Sequence, residues 1–175
     1  MKSALRTVGI VATVAAAAFA YVRLAEKKGY ALQPGSAAPA FRLPAVAGGD
    51  VDLAAQRGKV VVLNFWATWC PPCVAEMPSL ERLHRVLTPE GLLVVTVSAD
   101  EDEKELRRFV EEHALTLPVL RDPGGRVASG LYRTTGYPET FVIGRDGRLL
   151  QHVVGPVEWD APERIAELRR RLESR

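Results

Sequence analysis

The chain has 175 residues, enough for one globular domain with a sizeable core and an appendage. Apolar residues at 47% and charged residues at 25% exclude a disordered chain, and a net charge of +2 without a basic, aromatic-interleaved patch excludes a nucleic-acid partner. The only cysteines, Cys70 and Cys73, leave no framework of structural disulfides, so the pair is there for chemistry.

In chain order, Lys2 and Arg6 precede an uncharged stretch from Thr7 to Val22, the basic-then-apolar shape of a secretory signal. As a helix, Thr7 to Leu24 is about 27 Å long, near the roughly 30 Å bilayer core. Residues 1–24 are read as a signal anchor in the cytoplasmic membrane, with the remainder extracytoplasmic or periplasmic. Ala18-Phe19-Ala20 also offers a cleavage site, so a soluble periplasmic form is the alternative. No cysteine near the end of the apolar stretch rules out a lipid anchor. Residues 25–38 are poor in large apolar side chains and contain Pro34-Gly35-Ser36, which reads as a linker before a domain over 39–175.

Ala40 to Leu43 alternates in polarity, and Val51-Asp52-Leu53 follows a Gly48-Gly49-Asp50 turn, predicting a short hairpin. Val60 to Phe65 is a run without alternation, as expected of a strand covered on both faces. Cys70 and Cys73 fall where this strand gives way to a helix. Unpaired N–H groups and the positive end of the helix dipole favour a thiolate there, which makes Cys70 the candidate nucleophile. Pro71 suits the first helical position, Pro72 removes a second donor, and Cys73 is placed to resolve a mixed disulfide. A zinc site needs two more ligands, and His84, His113 and His152 are too scattered to supply them. A structural disulfide across so short a loop would constrain the unfolded chain little.

Met77, Leu80, His84 and Leu87 continue the stripe begun by Cys73, with Pro78 predicted to kink the helix. Leu92 to Val97 is a second buried strand, completing a βαβ unit. Asp100, with Glu103 three residues on, predicts the start of a second helix; Arg126 to Tyr132 predicts a short one. Phe141 to Val154 reads as an antiparallel hairpin around Asp146-Gly147, and Asp160 with Glu163 predicts the cap of a final helix.

Trp66-Ala67-Thr68-Trp69-Cys70-Pro71-Pro72-Cys73, with Pro78 following, resembles the active site of the thioredoxin superfamily, and most closely the membrane-tethered TlpA, ResA and CcmG (DsbE) branch. The resemblance runs from about Gly35 to the C-terminus. It implies an α/β thioredoxin fold, a central mixed sheet flanked by helices, with an N-terminal hairpin and a TlpA-like insertion around Leu106 to Leu120. It implies that Pro138 is cis and faces the disulfide, and that Tyr137 offers its backbone to an extended substrate. Trp69, Pro71, Pro72, Tyr137, Pro138 and Glu139 form the expected substrate-binding rim; Asn64, Trp66 and Pro78 are expected to support the site. Glu139-Thr140 resembles CcmG in particular.

Thioredoxins carry a buried Asp where this chain has Asn64, and an amide does not exchange a proton at ordinary pH. Glu76, one turn after Cys73, matches the acidic residue beside the active site of ResA-like proteins, and is expected to have a raised pKa and handle the Cys73 proton. The alternative is a solvated Glu supporting the first helical turns. The reading is therefore a tethered, monomeric thiol-disulfide oxidoreductase with no cofactor beyond the cysteine pair. The resemblance adds apocytochrome c as client and a transmembrane DsbD- or CcdA-like electron donor. Rival readings are a general reductase or oxidase, a non-catalytic peptide platform, and a peroxiredoxin-like peroxidase. The last lacks its proline-containing context before Cys70.

Overall fold

The computed structural model describes residues 32–174, so the predicted anchor over 1–24 and the first part of the linker lie outside the described residues. Among the described residues no helix is long and apolar enough to cross a membrane.

Seven strands and three α-helices are present among the described residues: β1 Arg42–Pro44, β2 Asp50–Asp52, β3 Val60–Trp66, α1 Pro71–Leu87, β4 Leu92–Ser98, α2 Glu103–Glu112, β5 Val119–Arg121, β6 Glu139–Ile143, β7 Leu149–Val154 and α3 Pro162–Glu173. β1 and β2 form the expected hairpin, with Leu43 opposite Val51. The other five strands lie in the order β5-β4-β3-β6-β7. β3 runs parallel to β4 and antiparallel to β6, giving the mixed sheet of a thioredoxin fold.

β3 explains its own composition. Side chains alternate across a strand, and both faces here are covered: Val60, Val62 and Trp66 pack with residues of α1 and α3, while Val61, Leu63 and Phe65 pack with Phe41, Tyr132 and Phe141. Every β3 residue is buried, so no polar position interrupts the run except Asn64. Asn64 lies on the α1 side by the same alternation, directly in line with the cysteines' helix.

Residues 35–38, placed in the linker by composition, are hydrogen-bonded to the β7 end of the sheet: Gly35 N donates to Leu149 O and Leu149 N to Ser36 O. Ala37 bridges Arg148 and Ala45 bridges Leu120 in β5, so the stretch before β2 touches both outer strands. Residues 126–131 form a π-helical turn.

Two predicted helix starts are corrected. Asp100 does not cap α2, because the backbone is still tied into the sheet: Ala99 N donates to Trp66 O and Asp122 N to Ser98 O. The chain turns two residues later, where the Asp102 carboxylate accepts from Lys104 N at 2.8 Å. Asp160 does not cap α3 either; its carboxylate is held by Arg82, at 2.5 Å from Nε, and α3 starts after Ala161 without a side-chain cap. α1 runs through Pro78 to Leu87.

Candidate active site

Cys70 occupies the N-cap of α1 with extended backbone, and Pro71 and Pro72 take the first two helical positions. Neither proline has an N–H, and the Val74 amide is spent on Cys70 O at 3.1 Å. The Cys73 amide is therefore the first helical N–H left for the Cys70 sulfur. The two cysteines form a disulfide, with Cα atoms 5.3 Å apart. Cys70 keeps 5% exposure and Cys73 only 1%, an asymmetry that makes Cys70 the sulfur open to attack.

The rim is apolar. Trp69 is 64% exposed and meets the Tyr137 ring edge-on with centroids 5.9 Å apart, while Pro71 and Pro72 are exposed beside it. The Tyr137–Pro138 bond is cis. Tyr137 O lies 3.6 Å from Cys70 Sγ, so the loop before β6 is brought to the disulfide from 67 residues away. Thus Trp69, Pro71, Pro72, Tyr137 and Pro138 come together around the sulfurs.

Glu139 does not join them as a substrate contact. It is 1% exposed, because the strand that starts there turns its side chain away from the sulfurs and into the loop behind. Oε1 accepts from Thr135 N at 2.7 Å, Thr135 Oγ1 at 2.9 Å and Gly136 N at 3.1 Å. Oε2 meets His152 Nε2 at 2.7 Å, and the imidazole stacks on Phe141 with centroids 4.2 Å apart. Glu139 thus clamps the loop that presents Tyr137. Glu139→Ala strands two amides and is expected to cost about 2 kcal/mol of stability and to raise KM for a peptide disulfide more than it lowers kcat. Glu139→Gln keeps an acceptor and should do neither; steady-state kinetics and denaturant melts separate the two variants.

The approach to Cys70 is pinned by Asp100. Its Oδ1 accepts from Thr68 Oγ1 at 2.6 Å and its Oδ2 from Thr68 N at 3.0 Å and Ser98 Oγ at 2.6 Å. Sequence reasoning spent Asp100 on a helix cap and missed this brace, 32 residues distant.

Glu76 is 4% exposed and far from solvated. Its Oε1 accepts from Trp159 Nε1 at 2.6 Å and Val157 N at 3.1 Å, and Oε2 from Asn64 Nδ2 at 3.2 Å. Burial pushes its carboxyl above the ordinary value; the bonds from Trp159, Val157 and Asn64 and the charge of Arg164 pull the other way. Asn64 Nδ2 also donates to Thr140 Oγ1 at 2.9 Å, whereas Asn64 Oδ1 and Trp66 Nε1 are buried without a partner. His84 lies in the last turn of α1, at the opposite end from the cysteines, and His113, at the C-cap of α2, is stacked on Phe109. Among the described residues no group of His, Cys, Asp and Glu could hold a metal ion.

Comparison with known proteins agrees with this geometry. The AhpC/TSA family profile matches residues 34–152. The chain is 37% identical over 154 residues to the thiol-disulfide oxidoreductase ResA of Oceanobacillus iheyensis, covering 86% of this chain and 80% of that one. It is 39% identical over 132 residues to the thioredoxin-like protein YneN of Bacillus subtilis, covering 74% and 76%. Among solved structures, a proposed thiol:disulfide interchange protein DsbE from Chlorobium tepidum superposes with a TM-score of 0.69 at 32% identity, over 81% of this chain and 96% of that one. With a thioredoxin fold built around a Cys-x-x-Cys pair, the chain belongs to the AhpC/TSA family, in its thioredoxin-like TlpA/ResA/CcmG branch.

Proposed function

We propose that this protein is an extracytoplasmic thiol-disulfide oxidoreductase that reduces disulfides of protein clients, using Cys70 and Cys73 as its only redox group. The observation that carries the reading is the placement of the pair: one sulfur at the rim and one beneath it, at a helix N-terminus, with a backbone carbonyl 3.6 Å away where an extended client segment can pair. The names borne by the ResA and DsbE relatives support the same chemistry.

Reduced Cys70 attacks one sulfur of a client disulfide, and the other client sulfur leaves as a thiolate that takes a proton. Cys73 gives its proton to Glu76 and attacks Cys70 Sγ, closing the Cys70–Cys73 bond and releasing the second client thiol. Two electrons have passed to the client. A dithiol donor, of the membrane-embedded DsbD or CcdA kind, returns them.

Apocytochrome c is the proposed client, on the resemblance of Pro138-Glu139-Thr140 to the CcmG motif. The membrane location rests on Lys2, Arg6 and the uncharged run from Thr7 to Val22. Trapping tests the client. Full-length Cys73→Ser protein, expressed in cells making c-type cytochromes, should accumulate a mixed disulfide whose partner peptide carries the haem-binding cysteines. Recovery of unrelated envelope proteins alone would remove apocytochrome c and leave a general reductase.

A further inference from the structure

Trp159 lies in the turn that leads into α3, 83 residues from Glu76, and is 1% exposed. Its indole N–H meets Glu76 Oε1 at 2.6 Å, at or below the range of charge-assisted N–H···O bonds. The turn is fastened to α1 at further points: Trp159 N donates to Ser79 Oγ at 3.1 Å, Val157 N donates to the same Glu76 oxygen, and Arg82 holds Asp160. Arg164, in the first turn of α3, holds its guanidinium carbon 5.0 Å from the centroid of the indole. A cation over the face of an indole is attracted to it and keeps the ring in place.

The indole N–H and the Val157 backbone N–H, which can only donate, share one Glu76 oxygen, and the Asn64 side-chain amide donates to the other. Such a set suits a charged carboxylate; a protonated one would need an acceptor. Burial works against the charge, and among the opposing influences the indole bond is the largest. The groups that face Glu76 are few. They are the neutral Asn64 amide of β3 with the Thr140 hydroxyl of β6 behind it, the indole and an amide of the turn, and the Arg164 charge of α3; Cys73 stands one turn earlier on the helix that carries Glu76.

We propose that Trp159, backed by Arg164, is a positioning residue of the exchange reaction. Its N–H keeps Glu76 ionised one helical turn from Cys73, so that the C-terminal helix governs when the buried thiol can give up its proton. The inference rests on the reading of Glu76 as the acceptor of the Cys73 proton. In the balanced step, the S–H proton of Cys73 passes to the carboxylate, the thiolate forms the Cys70–Cys73 bond, and the departing client thiolate is reprotonated.

Trp159→Phe keeps the ring and deletes only the donor. Two measurements on the full chain are needed: the midpoint of the Glu76 side-chain carboxyl by 13C NMR, and the pH dependence of Cys73 alkylation with Cys70 changed to Ser. Trp159→Phe should move the Glu76 midpoint upward and carry the alkylation profile with it, changing the rate at fixed pH by on the order of tenfold. The same substitution on a Glu76→Gln background should leave the profile where it is. Arg164→Gln, which leaves the indole in place, should shift both readouts the same way by less, and serves where Trp159→Phe does not fold. An unmoved Glu76 midpoint in both variants overturns the proposal and spares the Glu76 reading. A midpoint that moves without the Cys73 profile overturns the reading of Glu76 as acceptor, and the proposal with it.

Discussion

Cys70→Ser is expected to abolish turnover, lowering insulin-disulfide reduction by roughly 10^4-fold or more, the order of loss when a covalent nucleophile is removed. Cys73→Ser should lose multiple turnover as well, but for a different reason, and the difference is the informative part. With Cys70 intact at the helix N-cap and still the more exposed of the two, the first attack proceeds and the mixed disulfide accumulates to one equivalent. Cys70→Ser should trap the disulfide far more slowly, because the remaining sulfur at position 73 is 1% exposed and is reached by a small alkylating reagent more readily than by a disulfide. Rapid acid quenching and mass spectrometry of both variants against one model disulfide reads this directly. Equal trapping by the two variants would mean that burial does not order the sulfurs, and the sequence of steps proposed above would be wrong.

The largest expected effect on stability lies away from the sulfurs, at Glu81. Its carboxylate is 8% exposed and accepts from Thr116 N at 2.9 Å, Thr116 Oγ1 at 2.5 Å and Leu117 N at 3.1 Å, with Arg85 Nε at 2.8 Å from Oε1. It ties α1 to the segment that leads into β5. Burial acts to raise its pKa, but the bonds from Thr116, Leu117 and Arg85 together outweigh it and hold the carboxyl below its ordinary value of 4.5. Glu81→Ala strands two amides and a hydroxyl and should cost about 3 kcal/mol at pH 7, a fall of roughly 10 °C in Tm. A group whose folded pKa is depressed contributes stability that is present above its unfolded pKa and lost as pH falls through the folded one. The deficit of the variant should therefore be full at pH 7 and shrink below pH 4.5. Thermal melts from pH 7 to pH 3 check it; a pH-independent difference would show that the carboxylate charge contributes nothing. Glu76 has the opposite sign: its raised pKa favours the folded state in acid, and that contribution fades as pH rises through the folded value.

How far the sequence could be read followed the range of the interactions. The strand before Cys70, the helix after it and the hairpin at β6 and β7 are local patterns, and each appears within a residue or two of its expected place. Pro138 was legible only through family resemblance, since nothing near it in the chain indicates what it faces. Asp100 and Asp102 each have an acidic residue three positions on, so the motif could not choose between them; the ladder bonds of Ala99 and Asp122 chose. Glu139 was placed on the rim by the family resemblance, but the direction of its side chain is decided by Thr135, Gly136 and His152. Glu76 was placed in the site, yet its principal partner, Trp159, carries no signal at all until the chain is folded.

The stretch from Leu32 to Val46 bears on solubility. Bare strand edges are templates on which a second molecule can add, and this stretch occupies the rim of the sheet at Leu149 on one side and at Leu120 on the other. A version of the protein trimmed to begin at β3 would offer two open ladders and would be expected to aggregate through them. The guard stops short at the far end of β7, where Val154 stays 67% exposed opposite Glu139, so the rim is left bare next to the Tyr137–Pro138 loop that faces the disulfide.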